Sequence, residues 1–259
     1  MSRLVPLQDE ERIVLKSPQE IEKMRRSNQI VAEILEEVGT AARPGVTTRE
    51  LDELAVALLV RYKARSAFKG YNGYPAALCT SVNEEVVHGI PSLRVLREGD
   101  ILSLDFGAVA DDFFGDAAIT LPIGRISEEA GRLLRVAEEA LYLAIDQARP
   151  ENRLQDISAA IQRHVESNGF SVVRDFVGHG IGRQLHEKPQ IPNFGVPGRG
   201  IRLQPGMILA IEPMINAGGY EVEILPDGWT AVTKDRSLSA HFEHSVAVTE
   251  NGPHILSKL

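Results

Sequence analysis

Cysteine is almost missing from this chain of 259 residues: Cys79 stands alone. No intrachain disulfide can form, and a reducing compartment is the simplest setting. No apolar run approaches membrane-spanning length, and the opening M-S-R-L-V-P-L-Q-D-E-E-R lacks the apolar core of a signal peptide. A soluble cytoplasmic protein without a membrane partner is expected. Positive charge is not in excess either. The net charge of −8 favours solubility and gives no footprint for stable nucleic-acid binding. What remains is ordinary globular composition, in a chain long enough for one large domain or two small ones with a sizeable core.

The clearest local signals open helices. Ser17-Pro18-Gln19-Glu20 combines an N-cap serine, proline at the first helical position and glutamate at the capping-box position. Ile21, Met24, Ile30, Val31, Ile34, Leu35 and Val38 carry an apolar stripe to Gly39, and Arg43-Pro44-Gly45 breaks the helix. Thr47-Thr48-Arg49-Glu50 is a second capping box, with Leu51, Leu54, Ala55, Leu58 and Leu59 behind it. A loop follows, then a short strand from Ala77 to Ser81 and an exposed turn leading to His88-Gly89-Ile90-Pro91. Ser127 caps a third helix that ends at Ala148-Arg149-Pro150, and a fourth runs from about Leu154 to Asn168-Gly169.

The two helix pairs repeat each other. Ala42-Arg43-Pro44 and Ala148-Arg149-Pro150 coincide at an offset of 106 residues, which also lays Leu35 on Leu141 and Leu51 on Ile157. An ancient duplication follows, and with it an α+β fold of two related halves, about 17–122 and 127–250, in a single catalytic domain behind a short segment 1–16. A site at their junction would draw on both halves.

Between the helix pairs, Ile101 to Leu104 and Ala117 to Thr120 read as two strands of a hairpin. A turn centred between Ala110 and Asp111 would place Asp105 directly across from Asp116, where two carboxylates in apolar strands call for a cation or a shared proton. The hairpin alone also admits a turn placed elsewhere, with one aspartate solvated. In the second half, a strand is expected from Ser171 to Val177, followed by Gly178-His179-Gly180 and then His186-Glu187-Lys188-Pro189 in a loop. Met207 to Ile211 reads as a buried strand ending in Glu212-Pro213, and His241 to Val248 as a strand with Glu243, Ser245 and Ala247 on one face. Asp105, Asp116, Glu212 and Glu243 thus stand in or at the ends of apolar strands, beside a glycine-flanked His179. If they converge, four negative charges and a neutral imidazole match two divalent cations. Oxygen-rich ligation with one imidazole suits Mn, Fe, Co or Zn. Two such ions bridged by carboxylates and a water supply hydroxide and a Lewis acid, the parts of metal-assisted hydrolysis. His88 and His186, in glycine- and proline-rich surroundings, are candidates to donate to a substrate carbonyl or leaving amide.

V-V-H-G-I-P, L-D-F-G with F-F-G-D, G-H-G-I-G, I-E-P and H-F-E-H occur in this order, and together they resemble the signatures of the type I methionine aminopeptidases of the pita-bread metallohydrolase family. The resemblance runs from about Ser17 to the end. It implies a pseudo-twofold fold around a central antiparallel sheet and removal of the initiator methionine from nascent polypeptides when the second residue is small. It implies that Asp105 chelates one metal, that His179 and Glu212 bind the other, and that Asp116 and Glu243 bridge the pair. His88 and His186 would contact substrate, Glu212 would double as proton shuttle, and Tyr71, Tyr74, Cys79, Leu185 and Trp229 would line the methionine pocket. Phe68, Asn72 and Leu185 depart from common family residues, which affects pocket shape more than ligation. A monomer with at most transient ribosome contact is implied. Proline-specific aminopeptidases and prolidases share the five ligands but usually carry an additional N-terminal domain, and a metal-free binding module of the same fold would have lost ligands that are all present here.

Overall fold

A computed structural model describes residues 13–258. Most of the segment assigned to 1–16, and the opening stretch read for a signal peptide, lie outside the described residues. No helix in the described part is long and apolar enough to cross a membrane.

The capping boxes form as the sequence dictates. Ahead of helix α1 (Pro18–Ala41), Glu20 N donates to Ser17 Oγ at 3.4 Å and Ser17 N donates to the Glu20 carboxylate at 3.0 Å. Thr47 and Glu50 repeat this exchange at 3.2 and 2.7 Å ahead of α2 (Thr48–Tyr62). α3 (Glu128–Ile145) follows Ser127, and Arg153 N donates to Asp156 at 2.7 Å at the head of α4 (Leu154–Ser167). α1 runs through Gly39 rather than stopping there. A Cβ at that point would come to 3.0 Å from Leu121, so the glycine lets the helix lie close on the hairpin. The residues before α2 and α4 are each tied by an isolated bridge: Thr47 pairs with Val95, and Arg153 with Arg202.

Nine strands pair antiparallel in one sheet. Its centre is the hairpin of Ile101–Ala110 and Phe113–Pro122, longer at both ends than the sequence suggests. Its turn is Asp111-Asp112, both at positive φ (50° and 64°), as a two-residue hairpin turn requires. The register is therefore two residues off the expectation: Asp105 faces Ala118, and Asp116 faces Gly107. An even slip leaves both carboxylates on the same face, so they are diagonal neighbours rather than opposite ones.

Strand alternation then separates helix side from site side. Leu102, Leu104, Phe106 and Ala108 pack with α1 and α2, and Leu209, Ile211, Val246 and Val248 pack with α3 and α4. The other face carries Asp105, Asp116, His179 and Glu243.

Other expectations change where pairing is non-local. Residues 171–177 split into Ser171–Val172 and Val177–Gly180, and Glu187–Pro192 is a strand on the latter rather than a loop. The turn after Val82 is half-buried, not exposed, and leads into a strand Glu85–Val87 that pairs with Ala231–Thr233. The expected strand across 241–248 breaks at Phe242. Beside that break Ile208–Ile211 also stops, because Pro213 has no N–H to continue the ladder. Beyond it, Met214–Asn216 and Ser239–His241 pair in a different sheet. Glu212 and Glu243 sit at this shared bend.

Candidate metal centre

Two adjacent rungs of the sheet bring the predicted ligands together. In the first, register pairs run from Cys79 to Asp105, to Ala118, to Glu243. In the second, Asp116 faces Gly107, while Ser245, Ala210 and His179 are consecutive partners, and Ser245 Oγ donates to the Asp116 carbonyl oxygen at 2.9 Å. Between the ligands stand only small side chains, Gly107, Ala118, Ala210 and Ser245. Neighbouring strands are about 5 Å apart, so these small residues leave a shallow floor over which the carboxylates can lean.

Ligand atoms of Asp116, His179 and Glu243 lie within 4.8 Å of one another, and all three residues are buried. Glu212 joins them, with Oε1 at 3.5 Å from His179 Nε2. Asp105 lies outside the compact trio on the Cys79 side. Glycine sets the tightness of this assembly. A Cβ on Gly178 would stand 2.5 Å from the Ala210 carbonyl oxygen, one on Gly180 would run into the Lys188 carbonyl, and one on Gly115 would stand 2.8 Å from the Asn28 amide on α1. Asn28, buried on that helix, accepts from the Asp116 amide at 3.3 Å and so fixes the strand beneath the ligand.

Electrostatically the cluster is incomplete as protein alone. Asp105 Oδ1, Asp116 Oδ1 and Glu243 Oε1 are buried without a hydrogen-bond partner. Burial raises the Asp105 carboxyl to about 7 and that of Glu212 to about 8. Asp116 and Glu243 are pushed well above the usual range, first by burial and then by neighbouring carboxylates, those of Asp105 and Glu212 for Asp116 and those of Asp116, Glu212 and Asp105 for Glu243. Burial also lowers His179 to about 3, which keeps it neutral. Its Nδ1 lies 2.9 Å from the Gly180 carbonyl, which can only accept, so Nδ1 holds the proton and Nε2 presents a lone pair to the carboxylates. Orphaned carboxyl oxygens around an imidazole lone pair fit a divalent cation, which would favour their ionised form. Metal loading of the metal-free protein at pH 6.5 is accordingly expected to release protons, because carboxyls held protonated by burial ionise when a cation arrives. Titration calorimetry in two buffers of different ionisation enthalpy should give different heats; equal heats would contradict this electrostatic picture.

The residues expected to meet substrate gather beside this cluster. Tyr71, Tyr74, Cys79, Leu185 and Trp229 belong to one apolar group, with Phe68 among them. Tyr74 packs edge-on to Trp229 at 5.1 Å and donates to the Gly89 carbonyl at 3.0 Å. Burial pushes the Tyr74 hydroxyl and the Cys79 thiol up, so both stay neutral. His88 is held at φ 61°, a conformation rare for a residue with a Cβ, and is wedged against Phe176 and Trp229 at 5.5 and 6.3 Å. Burial lowers it to about 4. The ring of His186 stacks edge-on to that of His179 at 4.3 Å.

Sequence reasoning missed His241 and Phe176. His241 Nε2 is buried, unpartnered and 3.5 Å from Glu212 Oε2. Thr120 Oγ1 accepts from His241 N at 2.9 Å and donates to His241 O at 2.7 Å, so Ser103 Oγ supplies the proton in its 2.9 Å bond to Thr120. No local signal marked His241, because the strand breaks at Phe242 between it and Glu243.

The sequence pattern of metallopeptidase family M24 matches residues 22–250, most of the chain. The chain belongs to metallopeptidase family M24. Within it, the chain is 53% identical over 245 residues to a methionine aminopeptidase of Clostridium perfringens, covering 95% of this chain and 98% of that one. It is 51% identical to methionine aminopeptidase 1 of Bacillus subtilis, covering 95% and 100%. The crystal structure of a methionine aminopeptidase from Thermotoga maritima superposes with a TM-score of 0.94 at 50% identity, over 96% of this chain and 100% of that one. An Xaa-Pro dipeptidase of Bacillus anthracis shares the fold alone, with a TM-score of 0.74 at 22% identity and 62% of its chain covered. The M24 architecture is the pita-bread α+β fold, and here the two rungs that carry the predicted ligands lie on the sheet face opposite the helix pairs.

Proposed function

We propose that this protein is a type I methionine aminopeptidase that removes the initiator methionine from nascent polypeptides when the second residue is small. It acts as a single catalytic domain and a monomer in the cytoplasm, with at most transient ribosome contact. One observation carries the reading: the cluster of buried Asp116, His179 and Glu243 with half-buried Asp105 and Glu212 adjoins a neutral apolar pocket, and Cys79 of that pocket faces Asp105 across the ladder. Unbranched and polarizable, a thioether suits such walls.

In this reading Asp105, Asp116, His179, Glu212 and Glu243 would hold two divalent ions, with Asp116 and Glu243 serving both, Asp105 one, and His179 with Glu212 the other. The ions supply hydroxide at neutral pH and a Lewis acid for the scissile carbonyl. The chain's own groups do the rest. His88 and His186 donate to the substrate's carbonyl and departing amide, and Glu212, oriented by His241, accepts and returns the proton. Tyr71, Tyr74, Leu185 and Trp229 exclude water from the methionine side chain. Solved proline-specific relatives share only the fold, so nothing in this site favours that specificity.

The test is hydrolysis of Met-Ala-Ser against an X-Pro peptide, with Mn²⁺, Fe²⁺, Co²⁺ and Zn²⁺ added in turn under anaerobic conditions. Release of methionine from Met-Ala-Ser with at least one ion is expected. Turnover confined to X-Pro would overturn the reading.

A further inference from the structure

His186 is exposed, yet its ring is held from two sides. Nδ1 lies 2.7 Å from the Tyr71 hydroxyl, with the two rings tilted at 59° and 5.2 Å apart, while the other flank rests on His179. Its backbone is anchored too. Glu187 accepts from the amides of Arg183 at 2.7 Å and Gln184 at 3.2 Å, and pairs with Lys16, whose side chain is only 3% exposed. That much fixation of a surface histidine has a chemical use, because a neutral imidazole has one donor and one acceptor, and only one arrangement helps a carbonyl.

We propose that Tyr71 is a positioning residue whose hydroxyl donates to Nδ1 of His186, which places the imidazole proton on Nε2 for donation to the scissile carbonyl oxygen. The direction follows from relative acidity: a phenol is the better donor and an imidazole nitrogen the better acceptor. Burial raises the Tyr71 hydroxyl, so it keeps its proton. In the opposite tautomer Nε2 would present a lone pair, which repels a carbonyl oxygen and competes for a cation. Tyr71 thus has two separable parts, a ring that walls the pocket and a hydroxyl that sets a tautomer.

The inference rests on the proposed aminopeptidase reading, and Tyr71→Phe separates the two parts. In the zinc-loaded wild-type protein, ¹⁵N NMR of labelled histidines should show His186 protonated at Nε2 and accepting at Nδ1. In Tyr71→Phe the two tautomers should mix. kcat on Met-Ala-Ser should fall about 10- to 100-fold, the range for losing a residue that orients a reacting group, while KM stays within about twofold because the ring remains. A wild-type spectrum with the proton on Nδ1 would overturn the proposal, as would an unchanged kcat. If Tyr71→Phe does not fold, the wild-type spectrum alone decides. Wild-type protein inert toward Met-Ala-Ser would remove the functional reading and leave the tautomer to be judged by its spectrum.

Discussion

Replacing Asp116 by asparagine is expected to lower turnover of Met-Ala-Ser by at least ~10³-fold, beyond the roughly 10²–10³ that loss of a single stabilising donor costs an enzyme. Asp116 sits in the compact trio with His179 and Glu243, and its side chain is buried with one oxygen unpartnered. A proposed bridging ligand serves both ions, so its loss should disable both. A structural aspartate would behave differently. Removing it would cost stability, whereas removing a buried carboxyl that the folded state must keep protonated at neutral pH removes that cost. The metal-free variant should therefore melt no lower than the metal-free wild type near neutral pH. The pH dependence gives the sign. With carboxyls raised to about 7 at Asp105 and about 8 at Glu212, the folded wild type holds more protons than the unfolded chain above ordinary carboxylate pKa values. The stability these carboxyls contribute to the metal-free protein is then fully present below ordinary carboxylate pKa values and lost as pH rises through about 7 to 8, while His179 and His88, lowered to about 3 and 4, add stability as pH rises toward neutrality. Asp116→Asn should flatten the decline. Melting curves from pH 5 to 8, alongside the activity assay, check both halves; a variant that is destabilised and still active would reverse the assignment.

Gly180→Ala is expected to give the next largest loss, on the order of 10²-fold, without touching a proposed ligand. The glycine follows His179 in the strand, and a methyl group there would collide with the Lys188 carbonyl, which is backbone and has no rotamer to escape into. Something must shift, at a cost of about 1–3 kcal/mol for an overpacked site. The shift falls on His179 or on the Glu187–Pro192 strand, which carries His186 just ahead of it. A displacement of about 1 Å in a reacting constellation costs on the order of 10²-fold in rate. Turnover should drop by about that factor and metal should bind more weakly, with a lower melting temperature. Wild-type kinetics in Gly180→Ala would mean that the strand spacing around His179 is looser than the geometry implies.

How much of this was legible in the chain depends on how local the cause is. Capping boxes at Ser17 and Thr47 are decided by side chains three residues apart, and they formed as read. The site face of the hairpin was also readable, since a register slip of two leaves Asp105 and Asp116 on one side, while the turn itself was misplaced because Asp111 and Asp112 adopt positive φ without a glycine to advertise it. Non-local pairing was hidden. Glu187–Pro192 reads as loop by its prolines and becomes a strand only because Val177–Gly180 lies beside it. His241 escaped notice for the same reason. Its place near Glu212 follows from two neighbouring strands leaving the main sheet together at Pro213 and Phe242, a coincidence no single stretch reveals. The four carboxylates proposed as ligands were visible because charge inside apolar strands is costly wherever the strands end up.

Calorimetric titration of the metal-free protein with Mn²⁺ at neutral pH tests the convergence of those side chains most directly. Two ions per chain in the wild type, with binding weakened or lost in Asp116→Asn, is the predicted result. Failure to bind any ion, or binding that Asp116→Asn leaves untouched, would contradict it.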